Sequence, residues 1–468
     1  MLHKSMIRDP RIVATALVVA GGLATFGVNF PGVMEFDSYV QLLEGRTQSY
    51  GYWHPPVMSW LLGEFDQLPG FVATWFMAMD MVLTFGALAA LLWLPQRVSW
   101  RTAMAIPLML FLPSLALTQA VVWKDALFAD ATLAGAVALA WAIHHWRRPR
   151  LRWPALVVGS LLIALAGLAR QNGVIVLPCL ALGLAWAVWR LSGTWRLGAA
   201  YGAGLVVAAG LWLVVANAAL LVYWDGTPST QYQFNVLRLY DVVGMVKHDP
   251  SLKIAVFDRE APRLAHLIRT QSLRVWTPTK NDTMETPPVV EQVETVPPEV
   301  FAKQWWALVR AHPGLYLKVR AELFRWVFQP PDVRQCHPFI VGIQPGAEPV
   351  DDFVIIPRMD PHDIALKHYG DFLVANTPVF SHGLFALIGI GVMVLVLRRR
   401  TPTDIMVASL IGASLVFTAT FFVISIACDY RYLTLVDLSA LAGLLYVIAD
   451  WRALRYFASS QISDDTQP

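Results

Sequence analysis

The chain reads as an all-α polytopic membrane protein of about ten transmembrane helices carrying one small extracytoplasmic soluble domain. Three observations predict this. Hydrophobic residues make up 56% of the sequence and charged residues only 15%. The apolar residues come in long runs rather than in alternation. Ten of those runs approach the roughly 20 residues that a bilayer core requires.

The expected spans lie near 12–32, 71–94, 103–122, 126–145, 154–169, 173–189, 198–223, 377–397, 404–427 and 433–450, with the fifth and sixth short enough to be tilted or incompletely spanning. The first follows Lys4, Arg8 and Arg11 and ends without a small-residue cleavage site, so it is expected to stay as an anchor. Short loops rich in Lys and Arg stay in the cytoplasm. Alternate connections here carry Lys4, Arg8, Arg11; Arg97, Arg101; Arg147, Arg148, Arg150, Arg152; Arg190, Arg196; Arg398, Arg399, Arg400; and Arg452, Arg455. The opposite short connections hold one cation each: Arg46, Lys124, Arg170 and Arg431. Both termini are therefore expected inside a bacterial plasma membrane, and each of the four outer cations asks for a reason.

Three domains follow: an amino-terminal transmembrane module, 1–224, with a first outer loop at 33–70; an extracytoplasmic domain, 225–376, rich in Pro and ordinary in charge density; and the carboxy-terminal spans and tail, 377–468. Within the insert, Pro313 separates two pieces of helical spacing over 297–329, and the Val, Ile and Phe residues near 338–356 suggest short strands. Cys179, Cys336 and Cys428 imply no disulfide framework, and a bridge between the last two is left open. The net charge of +3 is mostly the inside excess, spread over separate loops, so nucleic acid is not an expected partner. No phosphate-loop or dinucleotide glycine fingerprint is present, and no cluster is strong enough to predict a metal. No cofactor is expected. The single large insert and the lack of matched broken helices argue against an inverted-repeat transporter.

Five outer-side constellations carry the candidate chemistry. In the first loop, Glu35 and Asp37 open the apolar-striped stretch DSYVQLLEGR, where Asp37 suits a helix N-cap. The run YWHPP at 52–56 holds His54 at the membrane surface, either facing water or donating to a phosphate, and starts a second surface helix, PVMSWLLGEF. The hairpin VVWKDALFADA places Lys124 beside Asp125, as a salt-bridged turn or as site residues. In ARQNG, Arg170, Gln171 and Asn172 interrupt an otherwise apolar stretch, and a polar turn needs Asn-Gly but not the Arg. ACDYRYL brings Asp429, Tyr430, Arg431 and Tyr432 to the mouth of the last two spans; Trp224-Asp225 carries little weight. Asp80 and Asp130, inside spans, read as satisfied interior carboxylates.

One or two carboxylates facing a set of cations suit transfer of a sugar from a phosphorylated lipid, because Arg and Lys stabilise charge developing on a leaving phosphate. A carboxylate takes the acceptor's proton. EFDSY, WHPPVMSWLL, WKDALFADA and ARQNG resemble, in order and spacing, the outer-facing signatures of GT-C membrane glycosyltransferases. The likeness is to the branch containing protein O-mannosyltransferases and the lipid A aminoarabinose transferase. It implies a GT-C-like bundle, a polyprenyl-phosphate-linked sugar donor, a lipid, glycan or protein acceptor, and an inverting displacement. It also implies Asp37 as general base, with Glu35 or Asp125 assisting; the expected substrate-binding residues are His54, Lys124, Arg170, Asn172, Tyr430 and Arg431. Here Phe36 separates two acids that are usually contiguous, and His54 stands where that branch commonly has Lys, which suggests a divergent bacterial subgroup. A transporter or lipid-linked glycan flippase is the first alternative, followed by a glycan polymerase or ligase and a non-enzymatic scaffold.

Overall fold

In the computed structural model, which describes residues 9–51, 53–221, 230–344 and 356–450, the chain is almost wholly helical. Helix α1 (Pro10–Asn29) starts at Asp9, whose side chain accepts from the Arg11 amide at 2.8 Å, with Pro10 in the first turn where its missing N–H costs nothing. Surface helices α2 (Phe36–Thr47) and α3 (Pro56–Asp66) form the first loop, followed by α4 (Val72–Leu91). The expected third span is broken: α5 (Trp100–Leu110) and the Pro113–Ala120 segment meet at 74°. Pro107 and Pro113 remove backbone donors there, so the helix cannot run through. Next come α6 (Lys124–His144), α7 (Pro149–Ala169), α8 (Val176–Ser192) and α9 (Trp195–Leu221). The expectation of short fifth and sixth spans does not hold. Each is 21 or 22 residues long, since Pro149 starts the fifth upstream of Pro154 and the turn Gln171–Ile175 extends the sixth.

Among the described residues, nine helices are long and apolar enough to cross a membrane, or ten with the bent pair. Helix α6 and the final segment Tyr430–Ala449 have 83% of their apolar windows buried, against 17% for Trp195–Leu220, so the first two form the bundle's centre and the last its lipid-facing flank. Small residues allow the closest approaches. A Cβ on Gly135 of α6 would meet Ile163 of α7 at 2.7 Å, and one on Gly45 of α2 would lie 2.1 Å from the Ser59 carbonyl of α3.

Within the insert, α10 (Thr230–His248), α11 (Pro298–Ala311) and α12 (Pro313–Phe328), with shorter helices between Ala255 and Thr295, enclose a second hydrophobic core around Tyr240, Phe257, Phe301 and Leu323. Pro313 does separate two helices. Of the strands expected near 338–356, the described residues show one two-residue strand, β2 (Ile343–Gln344), parallel to β1 (Met34–Glu35). The first loop is thereby gripped from both sides, because Val33 also bridges Val121. Helices α13 (Pro361–Asn376), α14 (His382–Arg399), α15 (Pro402–Ile424) and α16 (Thr434–Ala449) complete the chain.

The insert is fastened at the bundle's mouth. Fully buried Arg320 of α12 lies 2.5 Å from Asp241 of α10 and donates to the Ser425 carbonyl at 2.8 Å, just past α15. The bridge left open by the sequence forms between Cys336 and Cys428, closing 92 residues of chain. Trp224 and Asp225 lie outside the described residues.

Gly45→Ala should lower thermal stability by roughly 1–3 kcal/mol through overpacking against α3, whereas Gly86→Ala, with open space around its Cβ, should be neutral or slightly stabilising. Melting curves of the two purified variants in one detergent check this; equal losses would mean that the α2–α3 contact is not tight.

Candidate functional site

Four connections at one end of the bundle converge. β1 and the first turn of α2 bring Glu35 and Asp37; the start of α6 brings Lys124 and Asp125; the break between α7 and the turn Gln171–Ile175 brings Arg170; and the turn Tyr430–Leu433 before α16 brings Arg431. These residues span 396 positions of sequence, and a one-span error in the connectivity would have put them on opposite ends.

Arg431 is the centre. Its Nη1 pairs with Glu35, its Nη2 lies 2.5 Å from Asp37 Oδ2, and its Nε lies 2.9 Å from Asp429 and 3.6 Å from Asp125. The guanidinium also stacks over Trp123 at 5.4 Å, and the Trp123 indole donates to Glu35 at 2.6 Å. Arg170 pairs with Asp125, donates from Nε to Asn172 Oδ1 at 3.0 Å and lies among the rings of Phe417, Phe421 and Tyr432, each within 5.5 Å. Asn172 in turn donates to Thr420 at 3.1 Å, so it positions Arg170.

Asp37 does not cap its helix. Glu35 occupies the N-cap, Ser38 Oγ accepts from the Glu35 amide at 3.3 Å and donates to the Val122 carbonyl at 2.6 Å, and the pairing of β1 with β2 fixes that register. Asp37 is thus free to face Arg431, and at 26% its side chain is more exposed than those of Glu35, Asp125 or Asp429. Lys124 and Asp125 do not bridge each other. Adjacent positions on a helix point apart, and Lys124 Nζ instead lies 3.4 Å from His54 Nδ1.

His54 neither faces water nor offers a positive charge. It is buried, Gln41 Nε2 sits 3.0 Å from the same Nδ1, and two donors on one nitrogen mark it as the acceptor. Burial, with Lys124 beside it, holds the imidazole down to about 3. Tyr430 also departs from expectation: its hydroxyl is turned into the bundle, 2.8 Å from Asp437, and not toward the cluster. The sequence placed Asp429 at this mouth without giving it a role, and Trp123 was not singled out. Asp429 was visible beside Arg431, but only the turn's geometry, with Asp429 Oδ1 accepting from the Arg431 amide at 3.3 Å, brings it inward.

Four carboxylates face three cations, so the cluster has one acid too many. Burial works against ionisation of Asp37, yet Arg431 and Lys124 hold it down to about 2. Burial pushes Glu35 up against the pull of Arg431, and it pushes Asp429 up to about 7, aided by Glu35 and Asp37. Any excess proton therefore resides on Glu35 or Asp429 while Asp37 stays ionised. The only set with metal-like spacing among the described residues, Asp360, His362 and Asp363, lies elsewhere, and Arg358 already pairs with both carboxylates, at 3.4 and 3.2 Å.

Because the folded value for Asp429 lies above its ordinary 3.8, its ionisation opposes folding: the favourable contribution is complete below about 4 and is lost as pH rises through about 7. Asp429→Asn should therefore compare better with the parent protein at pH 8 than at pH 5. Melting temperatures of both proteins at the two values test this, and a difference independent of pH would contradict it.

No family model matches the chain, and no curated protein matches it. Among solved structures, the chain is similar to ArnT from Cupriavidus metallidurans bound to undecaprenyl phosphate, with 14% identity and a TM-score of 0.34 over 92% of this chain and 77% of that one. At that score the likeness carries no argument.

Proposed function

We propose that the protein is an integral membrane glycosyltransferase of GT-C type, moving a sugar from a polyprenyl-phosphate-linked donor to an extracytoplasmic acceptor hydroxyl. The observation that carries this reading is the convergence of Glu35 and Asp37 with Lys124, Arg170 and Arg431 at one end of a bundle sized to a bilayer. The cation asymmetry supports an orientation with that end outside, both termini in the cytoplasm and the insert on the outer face.

Asp37 is the base. It is the most exposed acid of the cluster, stays ionised, and is held by a guanidinium that also suits a phosphate. A donor phosphate that takes the Nη2 edge of Arg431 releases Asp37 from its partner and raises its basicity as the reactants assemble. The acceptor oxygen then bonds to the anomeric carbon, its proton passes to Asp37, and the bond from that carbon to the phosphate oxygen breaks. The electron pair leaves with polyprenyl phosphate, toward Arg431 and Lys124. Attack opposite the leaving group inverts the anomeric centre. Glu35, Asp125 and Asp429 hold Arg431 and Arg170 in place, and Gln41 and neutral His54 hold Lys124.

The alternative, a transporter or flippase for lipid-linked glycans, draws on Asp80 and Asp130 inside the membrane. Asp37→Asn in isolated membranes should lower labelled-sugar transfer from a panel of polyprenyl-phosphate sugars by about 10²- to 10⁴-fold at equal protein level, the usual contribution of a positioned base. Equal transfer by both proteins would move the base to Glu35 or Asp125. Absence of transfer from every donor by intact protein would favour transport.

A further inference from the structure

The two carboxylates inside the spans are not satisfied as expected. Asp80 of α4 is fully buried, and neither of its oxygens has a hydrogen-bond partner. Asp130 of α6, also fully buried, keeps one oxygen without a partner and places the other 2.6 Å from Thr84 Oγ1, one turn along α4 from Asp80. No ion pair among the described residues includes either acid. The titratable groups packed nearest offer no cation to the pair: Asp80 and Asp130 face each other, and Asp437 of α16, reached through Gln119 and Ser114, is already hydrogen-bonded to His382 of α14. An isolated carboxylate so far from water costs many kcal/mol, so some ligand must neutralise the pair.

The hydrogen bonds identify that ligand. Thr84 Oγ1 has two oxygen neighbours, Asp130 Oδ1 at 2.6 Å and Gln119 Oε1 at 3.1 Å, and only one hydrogen to give. The Gln119 amide cannot be turned round to supply the second, because its Nε2 already donates to the Ser114 carbonyl at 3.2 Å and the reversed amide would set oxygen against oxygen. A proton on Asp130 makes hydrogen bonds of both contacts, Asp130 donating to Thr84 and Thr84 to Gln119. We propose that Asp80, Thr84, Gln119 and Asp130 form a proton-binding site inside the membrane bundle, with Asp130 carrying a proton that it donates to Thr84. A run of polar contacts leads from the site to the turn that carries Arg431. Gln119 bonds to Ser114, whose hydroxyl reaches Asp437 at 3.3 Å; Asp437 holds His382 at 2.9 Å and the Tyr430 hydroxyl at 2.8 Å; and Arg431 is the next residue. The proposal does not depend on the transfer chemistry.

Infrared difference spectra of the full-length protein in lipid vesicles at neutral pH test it directly. Subtracting Asp130→Asn from the parent should reveal the C=O stretch of a protonated carboxyl, and Asn keeps a donor toward Thr84, so the variant should fold. Thr84→Val should move that band to higher frequency as its hydrogen bond is lost. Carboxylate bands alone in the first difference would overturn the proposal. So would a band that vanishes when sodium chloride is added at constant pH, which would assign the site to a cation, and so would a band that Thr84→Val leaves unmoved.

Discussion

The structure at the mouth of this bundle depends on one guanidinium. Arg431 joins Glu35 and Asp37 of the first loop to Asp429 of its own turn and approaches Asp125 of α6. Removing a partner from a buried charge typically costs about 3–5 kcal/mol, and here each acid depends on the same cation. The first loop carries no other long-range ion pair to the bundle among the described residues, so the placement of α2 and α3, and with them Gln41 and His54, follows from this contact and from the backbone grip on β1. The arrangement also gives Arg431 a reason to stand in a short loop at the end of the bundle that carries few cations.

Arg431 is itself held from behind. The His382 ring stacks on Tyr430 at 4.0 Å, donates to the Tyr430 carbonyl and meets Asp437, and Asp429 caps the turn. On the opposite side, Cys428 is bridged to Cys336 and its amide donates to Thr279 at 2.9 Å, while Arg320 reaches Ser425. Three residues before the critical arginine, the insert is therefore covalently attached to the chain that carries it. A movement of the insert on its own core must be transmitted to that turn, and this gives a domain with no acid or base in the cluster a physical route to influence it.

The apolar runs and the charges that interrupt them were legible because both are local: a bilayer demands length, and an ionised residue at an apolar loop stands out. Glu35, Asp37, Lys124, Asp125, Arg170 and Arg431 were all found that way. What escaped depends on register and distance. Whether Glu35 or Asp37 caps α2 is decided by pairing with Ile343 and Gln344, more than 300 residues away. His54 is made neutral by Gln41 and Lys124, and Tyr430 is turned inward by Asp437, neither of which has a sequence signature. The bend after α5 was written in Pro107 and Pro113, yet hydropathy averaged over the window hid it.

The excess of one carboxylate gives the cluster its chemical character. With three cations and four acids, no charge is free for an incoming anion, so the phosphate of the proposed donor has to exchange with an acid already in place. Exchange is easiest for the partner with most access to water, since solvent replaces part of what it loses, and that partner is Asp37. Glu35 is also held by Trp123, and Asp125 is enclosed between Arg170 and Arg431. The acid released is then the one able to accept a proton from outside, while the proton retained on Glu35 or Asp429 limits the negative charge the phosphate must approach. On the proposed mechanism, ground-state pairing of Asp37 with Arg431 keeps Asp37 a weak base until the anion arrives, coupling the two halves of the site through a single side chain.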